Sequence, residues 1–241
     1  MHPVKKTLAD LTLTLHRPKS RLAELAPRIH DVLGHDLPPD VAAFYAEGDG
    51  LDYEATRAGA SLGCEASIFG LEDLFAGFRR HRQYKTVRAF EKDAEEGALY
   101  ALPFCEQTWS DSFEVSTKGD LARLNALVRS KVVVSIPGES AWITIDFADP
   151  KASPYRLGLA QDGCDLFPLD LTFPDFVAHF RRFGAARFYL AFVDRKAEEA
   201  MNIDCGAEVE RSLAGHAAAF PDEVAALVKR AKTLRAKKRR A

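Results

Sequence analysis

Hydrophobic positions along the chain fall into amphipathic helical runs separated by short alternating stretches. Residues 20–33 (SRLAELAPRIHDVL) place Leu22, Leu25, Ile29 and Leu33 at helical spacing, with Ser20 positioned to cap and Gly34 to stop the run. Pro27 falls inside it, which predicts a kink or two shorter helices. Pro38 and Pro39 suit the start of a second helix with Val41, Phe44 and Tyr45 as its stripe, ended by Gly48-Asp49-Gly50. LDYEAT and ASIFGL then read as short strands, and LEDLFAGFRRHRQY as another helix.

Residues 91–131 are patterned less clearly. EKDAEEG reads as a loop or helix end, ALYALPFCEQ as a strand and GDLARLNALVRSK as a short helix. KVVVSIPGESAWITIDF predicts a hairpin, with Val132–Ile136 paired to Trp142–Phe147 across a Pro-Gly turn. YRLGLAQDG and CDLFPLDL continue the β pattern. LTFPDFVAHFRRFG at 171–184 is strongly amphipathic: Thr172 can cap, Pro174 fits the first turn, Phe176, Val177, Phe180 and Phe183 form the buried stripe, and Gly184 ends it. RFYLAFV at 187–193 fits either a last strand or a helical continuation, and the region from Pro221 reads as a helix running into a basic tail. The expected fold class is α+β: a central, mostly antiparallel sheet with packed helices.

Composition adds a few limits. A chain of 241 residues with 47% apolar and 28% charged residues can build its own core without metal or disulfide. The N-terminus is basic, but Asp10, threonines and His16 interrupt its leucines at 8, 11, 13 and 15, which fails the signal-peptide pattern. No membrane span is expected, and a cytoplasmic location follows as the expectation. Cys64, Cys105, Cys164 and Cys205 are too dispersed for a zinc motif and read as free, buried thiols; no metal or cofactor is expected. Eight Lys and Arg and no acid lie in 229–241, so 1–228 holds 25 basic against 35 acidic residues, a net of −10. An acidic body of that kind attracts cationic partners.

LPPDVAAFYAEGDGL, SIFGLEDL, VVVSIPGESAWITIDF and LDLTFPDFVAHF follow one another in an order that resembles the SUKH superfamily of cell-wall-assembly regulators and bacterial immunity proteins. The likeness covers roughly residues 20–185. It departs from the family in the long stretch between the second and third motifs, in Pro137-Gly138-Glu139 where an Asp-Gly-rich turn is commoner, and in the extra residues after the closing helix. The resemblance implies a SUKH-like α+β domain over 20–193, an N-terminal segment at 1–19 and a helical extension with a basic tail at 194–241. It also implies protein binding, commonly by immunity proteins that neutralise toxins of nuclease or deaminase type.

The residues themselves point away from familiar catalysis. GES at 138–140 lacks the GxSxG elbow, HExxH and the phosphate-cradling GxxxxGK[ST] are missing, and the seven histidines are scattered. The chain is therefore expected not to be an enzyme. Glu47, Asp49, Asp52 and Glu54 flank the helix-ending turn; they read as a solvated turn or as an acidic face for a basic toxin domain. Glu139 and Asp146, near the hairpin, with Asp149, belong to the same class, and Trp109 in EQTWSDSF is a candidate binding aromatic. The leading expectation is an immunity protein that occludes its toxin. The alternative is a regulatory adaptor, nucleic-acid-associated through the tail at 229–241, which has no interleaved aromatics for base stacking.

Overall fold

The structure is a computed structural model and describes residues 3–75, 84–95, 115–136, 138, 141–147, 154–161 and 165–236. Its architecture is α+β, with two antiparallel sheets and helices packed on them. The first sheet contains β1 (Val4–Leu8), β2 (Leu11–His16), β3 (Leu51–Arg57), β4 (Ala60–Ser61) and β5 (Ala66–Ile68). Strands β1, β2, β3 and β4 follow in that spatial order, and β5 also pairs with β3. The segment 1–19 therefore supplies two strands of the sheet rather than a leading appendage. Leu11 and Leu13 alternate with Thr12 and Thr14, so one face of β2 is buried while the other meets solvent.

The second sheet runs β6 (Lys131–Ser135), β7 (Ala141–Asp146), β8 (Arg156–Gln161) and β9 (Asp165–Pro168). The expected hairpin is present, with Val132 opposite Thr144 and Ser135 opposite Trp142. Between Val132 and Val134 the register shifts by a bulge, and the Val133 carbonyl accepts from Phe69 N–H at 2.9 Å. An extra residue in one strand frees its backbone groups from the local ladder. Here the freed carbonyl ties the end of the first sheet to the edge of the second.

Helix α1 (Leu22–Leu33) is a single helix that contains Pro27. Ala23 and Pro27 are both exposed, so water can serve the carbonyl that proline leaves without an N–H. The N-cap residue of α1 is Arg21, and Ser20 Oγ, one residue earlier, accepts from Leu22 N–H at 3.3 Å. The same hydroxyl donates to the Tyr45 carbonyl at 2.6 Å, closing the end of α2 (Pro39–Glu47). Short α3 (Leu71–Leu74) follows β5; α4 (Val87–Glu95) and α5 (Lys118–Arg129) belong to the stretch that was hard to read. Thr117 and Asp120 cap α5 reciprocally.

Helix α6 (Phe173–Phe183) matches its expected bounds, with the Thr172 side chain accepting from Asp175 N–H. Phe173, Phe176, Phe180 and Phe183 are each at most 1% exposed, and burying a side chain of that size contributes roughly 1.5–3 kcal/mol. RFYLAFV becomes a 3-10 helix over Arg187–Phe192, and Val193 then bridges to Leu169. Helices α7 (Arg195–Met201), α8 (Cys205–Leu213) and α9 (Pro221–Ala236) complete the fold. Val209, Leu213, Leu227 and Ala231 join the same core as both sheets and α6, so the 194–241 extension is packed through most of its length. A second, smaller core sits on the other face of the second sheet, where Leu124, Leu127 and Phe90 meet Val132 and Ala160. Trp142 packs against it half-buried.

Candidate functional site

The first sheet turns its polar face outward. Register places Lys5, Thr14 and Glu54 in one cross-strand row and His16, Asp52 and Ser67 in the next. Residues directly opposite each other in an antiparallel pair share a face, and so do residues two apart along a strand. Both rows therefore stand on one side, and with Pro3 and Glu65 they line a shallow groove of about 690 Å³.

Asp52 is the hub of this face. Ser67 Oγ donates to one of its carboxylate oxygens at 2.7 Å, and His16 Nδ1 lies 3.0 Å from the other. A carboxylate accepts, so Nδ1 carries the proton and Nε2 is left as the imidazole's remaining polar atom. Serine bonds to the carboxylate rather than to the imidazole, so the three do not form a nucleophile–base relay. Asp52 and His16 are both nearly half exposed, at 48% and 41%. Glu54 is exposed, and Glu65 is half-buried, accepting from Ser61 Oγ.

The expected acidic cluster does not form a single face. Asp52 and Glu54 lie on the groove, whereas Glu47 and Asp49 sit in the turn that links α2 to β3. Glu47 is held by Arg17 at 2.5 Å and by Arg181 at 3.4 Å. Arg17 also covers the Phe44 ring at 4.3 Å and donates to the Phe44 carbonyl, so that pair helps close α2. Asp49 accepts from Leu71 N–H at 2.7 Å and so serves the first turn of α3. Asp146 is largely buried and paired with Arg129 at 3.1 Å. Asp49 and Asp146 thus serve the fold, whereas Glu47, 65% exposed, is paired at the surface. Trp109, Glu139 and Asp149 lie outside the described residues.

His16, Ser67, Glu65 and Lys5 complete the groove and were not singled out from the sequence. Their signal lay in the Leu11-Thr12-Leu13-Thr14-Leu15 alternation, which places His16 on the polar side of a strand.

A second polar cluster is sealed inside. Tyr53 Oη donates to the Arg182 carbonyl at 2.8 Å and lies 3.1 Å from His216 Nε2. The tyrosine has one proton and gives it to the carbonyl, so Nε2–H of the imidazole donates to Tyr53 and Nδ1 keeps a bare lone pair. That Nδ1 is buried without a hydrogen-bond partner, and the residue is 1% exposed. Burial, with Arg57 adding to it, pushes His216 down to about 4. Cys64 Sγ is 3.9 Å from the same Nε2, and burial pushes this thiol up to about 12, where it stays protonated and poorly nucleophilic. Cys205 is also buried and in no disulfide; Cys105 and Cys164 fall outside the described residues.

Among the described residues no group of three or more His, Cys, Asp or Glu is placed to hold a metal ion. Likewise no described helix is long and apolar enough to cross a membrane. The tail expected at 229–241 begins inside α9, where Arg230 pairs with Asp170 at 2.6 Å and Lys232 with Glu210 at 2.6 Å. Among the described residues, Arg230 and Lys232 are thus committed to the fold. Comparison of the chain with protein-family models, with curated proteins and with solved structures finds no match.

Proposed function

We propose that the chain is a protein-binding module, as the SUKH resemblance implies, and that the groove on the first sheet receives a cationic region of its partner. One observation carries this reading. Asp52, Glu54 and Glu65 line a concave, hydroxyl-bearing surface in which Lys5 is the one described Lys or Arg. The groove stands on strands whose opposite face is core: Leu13, Leu51 and Tyr53 are each at most 3% exposed. A rigid surface of that kind loses little entropy on binding, and its charge speeds encounter with a basic partner. The most specific form of the proposal is an immunity protein that occludes a basic nuclease- or deaminase-type toxin domain. Such toxins need a positive groove for their own substrate.

The test is kinetic. Glu54 is exposed and the bond that Glu65 accepts from Ser61 Oγ lies at the surface, so Glu54→Lys/Glu65→Lys should leave the sheet intact. Association with a purified basic toxin domain, followed by surface plasmon resonance at low and high salt, should slow about tenfold or more at low salt. The salt dependence should flatten in parallel. A rate and salt slope equal to those of the unaltered protein would refute the groove as the binding face.

A further inference from the structure

An apolar concavity lies between α8 and α9, lined by residues distinct from those of the polar groove. It is an open groove of about 890 Å³, near the upper end of the range of small-molecule sites. Its walls are Ala214 and Ala217 on one side and Pro221, Val224, Ala225 and Val228 on the other. Its polar residues, by contrast, gather at one end. Lys229, Lys232 and Thr233 come from the following turns of α9, and Glu210 faces them from α8. Glu210 is occupied by Lys232 Nζ at 2.6 Å, which leaves the exposed Lys229 ammonium as the unneutralised charge on the rim.

We infer that this groove binds a single-chain, fatty-acid-like anion, with its alkyl chain along the alanine and valine walls and its carboxylate at Lys229. The distribution of polarity decides the class of ligand. A neutral hydrocarbon would leave the basic end unused, and a cationic amphiphile would bring its head against Lys229. Pro221 to Lys229 spans about 12 Å of helix at 1.5 Å per residue, a length along which a medium alkyl chain can lie extended. The Thr233 hydroxyl donates to the Arg230 carbonyl at 2.6 Å, so the carboxylate is left to Lys229.

Dodecanoate, kept below its micellar concentration, is titrated into the full-length protein by calorimetry, with dodecyltrimethylammonium and anionic phospholipid vesicles as separate arms. The expected result is saturable binding of one dodecanoate per chain, with no binding of the cationic analogue. Lys229→Glu should weaken dodecanoate about tenfold, the equivalent of one lost charge contact. Ala225→Phe, at an exposed position of α9, should fill the groove and abolish binding while circular dichroism stays unchanged. Equal binding of the anion and the cation overturns the proposal, as does binding to vesicles alone, no saturable binding, or indifference to both substitutions.

Discussion

Acid should loosen this protein through His216. The imidazole is buried, gives its one proton to Tyr53 and has a partnerless Nδ1. Protonating it would place a cation in the core beside the influence of Arg57. Its pKa falls from an ordinary 6.5 to about 4 on folding. Because the folded value lies below the unfolded one, the contribution to stability is complete above pH 6.5 and is lost as pH falls toward 4. At about 1.4 kcal/mol per pH unit, that interval corresponds to about 3 kcal/mol. Carboxylates also titrate there, so the measurement compares the unaltered protein with His216→Gln. Urea unfolding at pH 7.5 should show the variant less stable by about 1–3 kcal/mol, the cost of losing a buried hydrogen bond. Near pH 4 the gap should close or reverse, having changed by about 3 kcal/mol, since the glutamine takes up no proton. A gap that stays constant from pH 7.5 to 4 would refute the assignment of a neutral, Nε2-protonated His216.

Three other substitutions probe the frame around the groove. Gly184→Ala would set a Cβ 2.3 Å from both the Cys64 carbonyl and the Tyr53 ring, at a φ of +56°, and should lower stability by about 3 kcal/mol or more in denaturant melts. Tyr155→Phe removes a hydroxyl that donates to Asp40 and accepts from Phe173 N–H at 2.9 Å, joining the starts of α2 and α6; a loss of about 1–3 kcal/mol should appear in the same assay. Asp49→Ala leaves Leu71 N–H without its acceptor and should cost about 1 kcal/mol. It should leave partner association unchanged, which separates Asp49 from the groove carboxylates.

Helix α6 was the most legible part of the sequence. Thr172, Pro174 and Gly184 mark the ends of α6 and its phenylalanines mark its buried side, so local chemistry and packing agree. The β1–β2 hairpin was hidden although its alternation is regular. Its turn is Ala9-Asp10, with Ala9 at a φ of +53°, whereas hairpin turns usually announce themselves with Asn-Gly or Asp-Gly. RFYLAFV stayed ambiguous because five of its residues, Phe188 to Phe192, are buried, and a run buried all round has no period to read. For the candidate site, the acidic residues were visible as charges but not as neighbours. Asp52 and Glu54 share a face with His16 and Ser67 only through strand register. Glu47 and Asp146 are neutralised by Arg17, Arg181 and Arg129, partners brought together by the tertiary fold.

The last helix also bears on how the molecule is made. Tyr53 meets His216 across 163 positions of chain, and Leu227 and Ala231 lie in the core with the first strands. A chain emerging from the ribosome at about 5–20 residues per second must hold the apolar faces of α8 and of the 3-10 helix Arg187–Phe192 without their final covering until α9 has been released. Truncation upstream of Pro221 would therefore leave every earlier element present yet the core open at one end. Release of α9 thus sets the moment at which this core can close.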